Sequence, residues 1–154
     1  MSANPARRTP TPPFSQTLPI LLLRAREAVI ERFRPLLQAH DLSEQQWRVL
    51  RTLSGVEAIE VTPLARAVFV RGPSLSRILK DMLARGLISR RPGVRDRRQS
   101  LISITPAGRD MIRAVGPDAL KVGQEISRLF GDERMEKLRG LLVELEQTVG
   151  RSGG

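Results

Sequence analysis

Cysteine is absent from the 154 residues of this chain, which excludes disulfides, thiolate metal sites and a thiol redox switch. The absence fits a reducing compartment. Histidine occurs once, and with no cysteine beside it this removes zinc ligation and thiol catalysis. The sequence presents no paired carboxylates, no Ser-His-Asp arrangement and no cofactor motif, so neither an enzyme nor a bound cofactor is expected. Aromatic residues make up only 3% against 40% apolar residues in all, so the core must be aliphatic. Long apolar runs are missing too. The longest, Leu18 to Leu23, is interrupted by Pro19 and is far too short to span a bilayer. No apolar segment follows Arg7 and Arg8 ahead of a small-residue cleavage site, so no signal peptide is expected. The expected location is the cytoplasm, with no membrane association.

Acidic residues are scarce relative to basic ones. Lys and Arg number 26 against 16 Asp and Glu, giving a net charge of +10 and a pI near 11.6. That balance favours a polyanionic partner, and the charge is clustered. Between Arg71 and Arg98 stand nine basic residues: Arg71, Arg77, Lys80, Arg85, Arg90, Arg91, Arg95, Arg97 and Arg98. Only Asp81 and Asp96 oppose them, so this segment carries +7 of the net +10. Such concentration is the footprint of a nucleic-acid surface.

The same region carries the strongest local signals. Thr62 can cap a short helix, with Pro63 in its first turn. Arg71-Gly72-Pro73 breaks the chain and starts a second helix. That helix places Leu75, Ile78, Leu79, Met82 and Leu83 on one apolar stripe and ends at Gly86. Residues 87–91 and 100–104 then read as two strands of a hairpin, joined by a loop with Arg95, Arg97 and Arg98. Thr105-Pro106 starts another helix. Two helices at a tight turn followed by a basic hairpin describe a winged helix-turn-helix. The fold class is mostly α with a small β wing.

Around this head the pattern is helical. Residues 1–13, rich in proline with Arg7 and Arg8, are expected to be a disordered basic arm. Residues 14–40 are expected to be mostly helical, with a kink or restart at Pro35. Ser43-Glu44-Gln45-Gln46 is a capping box that opens a helix to about residue 53, with Trp47, Leu50 and Leu53 inward. Residues 56–61 suggest a weak strand able to join the wing. Residues 105–130 are expected to be helical with a kink or break at Gly116-Pro117, and the last helix begins at Gly131-Asp132. The terminal helices have more apolar face than one small head can cover, so they are expected to cover each other in a homodimer. The expected division is a dimerisation helix over 14–41, a DNA-binding winged helix-turn-helix over 42–106 and further dimerisation helices over 107–150.

The order of these motifs resembles the MarR family of bacterial regulators. The resemblance rests on Leu42-Ser43, Trp47-Arg48-Val49-Leu50, Ser74-Leu75-Ser76-Arg77-Ile78-Leu79 and Leu83-Ala84-Arg85-Gly86-Leu87-Ile88, followed by Asp96-Arg97-Arg98 and Ile104-Thr105-Pro106-Ala107-Gly108. It covers residues 14–149, and the Asp-Arg-Arg wing followed by the Thr-Pro-x-Gly helix start is its most specific part. Gln45-Gln46-Trp47-Arg48 is further similar to the subgroup that regulates homoprotocatechuate degradation. The resemblance implies a homodimer on a pseudo-palindromic, double-stranded DNA operator, repression of an aromatic-compound catabolic operon, and release by a small aromatic acid. One branch of the family senses peroxide through cysteine, and this chain departs from it. A structural winged helix that coats nucleic acid without sequence choice is the competing reading.

Within the head, Ser74, Ser76 and Arg77 occupy the start of the reading helix, the turn that meets base edges. Arg77 has the fork that matches guanine O6 and N7. Lys80 lies one turn on and suits phosphate. Ser74 has a plainer use as a local helix cap. In the wing, Arg97 or Arg98 suits the minor groove, with Arg95 beside them. Asp96 is unfavourable against phosphate, so its expected use is to hold a neighbouring arginine in place. The resemblance also implies an effector pocket between the dimer helices and the head. There Arg24 can pair with a carboxylate, and His40, Trp47 and Arg48 can line the cleft. The plainer uses are a helix-end surface residue for His40 and a core residue for Trp47.

Overall fold

The computed structural model describes residues 13–151. The expected basic arm lies, but for Pro13, outside the described residues. After a single 3-10 turn at Phe14–Gln16, helix α1 spans Leu18–Ala39 and α2 spans Glu44–Ser54. Strand β1 is the pair Ile59–Glu60, followed directly by α3 at Val61–Ala67 and α4 at Gly72–Ala84. Strands β2 (Ile88–Pro92) and β3 (Ser100–Ile104) form the hairpin, and α5 (Pro106–Phe130) and α6 (Asp132–Arg151) complete the chain. This is the expected mostly helical architecture with a small wing.

Local chemistry accounts for most boundaries. The Ser43 hydroxyl accepts from the Gln46 N–H at 3.1 Å, and the Gln46 side chain accepts from the Ser43 N–H at 2.9 Å. This capping box satisfies two donors that the first turn of α2 would otherwise leave orphaned. The Thr105 hydroxyl accepts from the Gly108 N–H at 3.1 Å with Pro106 at the first position of α5. Arg85 closes α4, and Gly86 follows with φ +69, the left-handed geometry that turns the chain into β2.

Four expectations need correction. The strand expected over 56–61 is reduced to Ile59–Glu60, because only these two residues pair, with Ile102 and Leu101 of β3. Helix α3 therefore starts at Val61, not after a Thr62 cap. Its N-cap is Glu60, which makes no side-chain capping bond, and Thr62 and Pro63 lie inside the first turn. Pro35 does not restart α1, and Pro117 does not break α5. Each proline removes one backbone donor, but packing next to it holds the helix: Leu37 is buried two residues after Pro35, and Val115 two residues before Pro117.

The core is aliphatic. Val49, Leu50 and Leu53 of α2, Leu64 of α3, Leu75 and Met82 of α4 and Ile102 of β3 are sealed from solvent. Trp47 is only half-buried against this cluster, and Val49 takes the inward place beside Leu50. The sheet order is β1-β3-β2, all antiparallel. Ile88 pairs with Ile104 and Arg90 with Ile102, so the base of the wing is anchored in the core while its basic end projects outward. Burying each such aliphatic side chain is worth about 2 kcal/mol.

Candidate nucleic-acid interface

Helix α4 presents its polar face by periodicity. With Leu75, Leu79 and Met82 held in the core, the opposite side must face solvent. Ser74, Ser76, Arg77 and Lys80 are all exposed there. The N-cap of α4 is Arg71 and makes no side-chain capping bond, so Ser74 is not the cap. The hydroxyls of Ser74 and Ser76 have no protein partner among the described residues. The helix is braced from α2: Gln46 Nε2 donates to Asp81 Oδ2 at 2.6 Å. Arg85 Nη1 donates to the Asp41 carbonyl at 2.7 Å. The capping residue of α2 thus also positions the reading helix.

The wing is ordered by its backbone. The Gly93 N–H donates to the Gln99 carbonyl at 2.8 Å, and the Gln99 N–H donates to the Asp96 carbonyl at 3.1 Å. A Cβ on Gly93 would stand 2.5 Å from that Asp96 oxygen, so the turn closes only around glycine. The Asp96 carboxylate accepts from the backbone N–H of Arg98 at 2.9 Å. The expectation that Asp96 holds an arginine thus gains a specific atom, and it is the main chain of Arg98. No Asp96–guanidinium ion pair occurs among the described residues. Arg95, Arg97 and Arg98 project into solvent. At the base, the Gln99 amide nitrogen, turned to donate, lies 2.6 and 3.1 Å from the two Glu60 carboxylate oxygens.

Ion pairing is denser on the flanking helices than in the head, although Arg24, Arg109, Arg128 and Arg134 also lack an acidic neighbour among the described residues. On α1, α5 and α6, Arg26, Arg32, Arg34, Arg113, Lys121, Lys137 and Arg139 each have an acidic neighbour. Of the nine cations from Arg71 to Arg98, only Arg85 has one among the described residues, Asp81 at 3.8 Å. The rest stand unneutralised on one part of the molecule, a self-repulsion that a polyanion relieves. One further cation, Arg66, belongs with them. Arg66 of α3 and Arg90 of β2 line a cavity of about 500 Å³ together with Arg98. The sequence carried no local sign of Arg66, because only the tertiary packing of α3 beside β3 brings it to the wing.

The four residues expected at an effector pocket lie on α1, at its C-cap and on α2, and none of them lines any of the five principal cavities among the described residues. Arg24 is exposed and has no ion-pair partner among the described residues, and His40 is the half-buried C-cap of α1. Arg48 Nε is buried without a hydrogen bond, 3.6 Å from Glu44 Oε1. Arg26, rather than Arg24, is the α1 cation that reaches α2, bonding the same Glu44 oxygen. Trp47 carries the Arg51 guanidinium over its ring at 5.9 Å. A cavity of about 280 Å³ opens beside Glu44 and is lined by Ile30, Arg34 and Leu37, not by any of the four.

Two helices at a tight turn, a three-stranded wing and a concentrated, unpaired positive charge define a winged helix-turn-helix protein. The chain belongs to the MarR family. The family model matches residues 40–99. The homoprotocatechuate degradative operon repressor of Escherichia coli is 35% identical over 128 residues, covering 83% of this chain and 86% of that protein. Among solved structures, the transcriptional regulator PA4135 superposes with a TM-score of 0.82 at 34% identity, covering 85% of this chain and 96% of that one. NadR in complex with 4-hydroxyphenylacetate superposes with a TM-score of 0.80 at 28% identity, covering 89% of this chain and all of that one. These relatives are regulators of transcription rather than enzymes. Among the described residues no helix is long and apolar enough to cross a membrane.

Proposed function

We propose that this chain represses an aromatic-compound catabolic operon of the homoprotocatechuate type. It binds a pseudo-palindromic operator as a homodimer and is released by a small aromatic acid. The observation that carries the reading is the set of cations on α4 and the wing, of which only Arg85 has an acidic neighbour among the described residues, whereas most cations of the flanking helices have one. In this reading Ser74, Ser76 and Arg77 face base edges, Lys80 faces phosphate, and Arg97 or Arg98 enters the minor groove with Arg95 close by. Residues 42–106 form the DNA-binding unit.

Residues 14–41 and 107–150 supply the dimer interface. What supports this is the apolar surface they expose in the single chain. Leu18 is 52% exposed, Leu23 53%, Leu141 63% and Val149 64%. A two-fold axis then places the two reading helices about one helical turn of DNA apart.

The effector site lies between the dimer helices and the head, and Arg24, His40, Trp47 and Arg48 are the residues proposed to line it. The unpaired Arg24 and the Trp47–Arg51 stack offer a cation and a flat apolar face, which suit an aromatic carboxylate. That relatives are named for homoprotocatechuate degradation, and solved with 4-hydroxyphenylacetate, supports this class. Release requires that the acid bind the DNA-incompetent dimer better than the competent one. The test is a titration of the protein on its own upstream DNA with and without phenylacetates and benzoates, paired with calorimetry of the free dimer and of Arg24→Ala. Lowered operator affinity with an acid, and weakened acid binding in the variant, are expected. No binding by any aromatic acid removes the effector class.

A further inference from the structure

Two unfavourable features meet at Phe69, in the turn between α3 and α4. Its φ is +51, in the left-handed region that side chains bearing a Cβ enter at a cost and that bulky ones rarely enter at all. Its side chain is 81% exposed, although an aromatic ring gains most from burial. The ring is one of only four phenylalanines in a chain poor in aromatics. The backbone imposes the conformation: the Phe69 N–H donates to the Arg66 carbonyl at 3.2 Å, and the Val70 N–H to the Ala65 carbonyl at 3.1 Å. Glycine or asparagine would meet the same turn with less strain. The ring therefore serves neither the turn nor the core.

Its surroundings indicate a use. Phe69 lines a cavity of about 570 Å³ whose floor is Val61, Ala65 and Val70 and whose edges are Arg66 and Arg71. Neither arginine has an acidic partner among the described residues, and no carboxylate lines the cavity. The surface runs directly into the reading helix, since Arg71 is the N-cap of α4 and Gly72 is its first residue.

We propose that Phe69 is a DNA-contact residue that packs against deoxyribose of the duplex backbone beside α4, while Arg66 and Arg71 take the phosphates on either side. The backbone of DNA alternates charged phosphates with apolar sugar C–H surface, and this site alternates guanidinium groups with a ring. An apolar peptide would leave both cations unanswered, so the charge favours DNA as the occupant. The contact adds affinity without base choice. It rests on the reading that α4 enters DNA, and it assigns to the α3–α4 turn a part of the interface beyond the helix and the wing.

The test uses Phe69→Gly and Phe69→Asn, which remove the ring yet fit the turn, in the full-length protein. The probe is a mixed-sequence duplex about 30 base pairs long, enough for two heads about one turn apart. Covering about 50 Å² of apolar surface corresponds to roughly an eightfold change in affinity, so both variants should bind roughly eightfold more weakly. Their thermal midpoints should stand at or above the parent's, which separates lost contact from lost folding. The slope of log affinity against log salt should be unchanged, because no charge is removed, whereas Arg66→Ala should flatten it by about one unit. Parent-like affinity in both Phe69 variants overturns the proposal while leaving DNA binding intact. A parent protein without salt-dependent affinity for duplex DNA overturns the reading beneath it.

Discussion

Replacing Asp96 tests how the wing is held, because two effects of opposite sign compete there. The carboxylate stands among Arg95, Arg97 and Arg98 and accepts the Arg98 N–H at 2.9 Å. Asp96→Ala removes a negative charge from the loop proposed to face DNA. At roughly 7 Å from a phosphate in water that relieves about 0.6 kcal/mol of repulsion, and salt screens part of it. The same change deletes a charge-assisted hydrogen bond worth about 1 kcal/mol. Residues 96–98 also become freer, and each must be reordered on binding at a cost of about 1 kcal/mol if fully released. The loss prevails, so Asp96→Ala should bind operator about 0.5–1 kcal/mol more weakly, a two- to fivefold effect. Asp96→Asn keeps an acceptor in place and removes the charge, so it should bind at least as tightly as the parent. Fluorescence anisotropy of a labelled duplex with the three proteins, at two salt concentrations, reads these differences. Tighter binding by Asp96→Ala than by the parent, or an Asn variant as weak as the Ala variant, would refute the reasoning.

Other outcomes follow from the same geometry. Arg77→Ala should cost roughly 1–3 kcal/mol and relax base preference at one position in each half-site; equal weakening on all duplexes would make Arg77 a phosphate contact only. Leu141→Asp places a charge on an apolar, 63% exposed face of α6 and should shift the protein from dimer to monomer in sedimentation. A parent protein that is monomeric at micromolar concentration would remove the dimer altogether. Leu50→Ala, at a position with no exposure, should destabilise the fold by about 2–5 kcal/mol in denaturant titration without changing which DNA is preferred.

What could be read from the sequence was mostly local. The capping box at Ser43 and Gln46 and the Thr105-Pro106 start of α5 depend on residues three apart, so their chemistry is visible in a short window. The outward placement of Ser74, Ser76, Arg77 and Lys80 follows from the period of the apolar stripe on α4. Long-range pairing was not legible. Glu60 is drawn into β1 by Leu101, and this moves the start of α3 ahead of the Thr62-Pro63 signal. Pro35 and Pro117 do not end their helices, because tertiary packing of Leu37 and Val115 outweighs one missing donor. At Asp96, the scarcity of acid among arginines pointed to a neighbouring arginine without naming the atom, and the bond goes to the main chain of Arg98, a common use of aspartate in turns. Arg51 over Trp47 was readable as a helical i, i+4 neighbour, but Arg48 drew attention by lying next to it.

The central claim is that the unpaired cations of α4 and the wing serve sequence-specific reading of a two-fold operator. The most direct measurement is competition between the upstream DNA of the gene and a base-scrambled duplex of equal length, across a salt series. The account predicts that affinity for both falls as salt rises, while the upstream duplex stays tighter by about 10³-fold or more. Equal affinity for the two duplexes at every salt concentration would contradict it and would mark the chain as a coating protein.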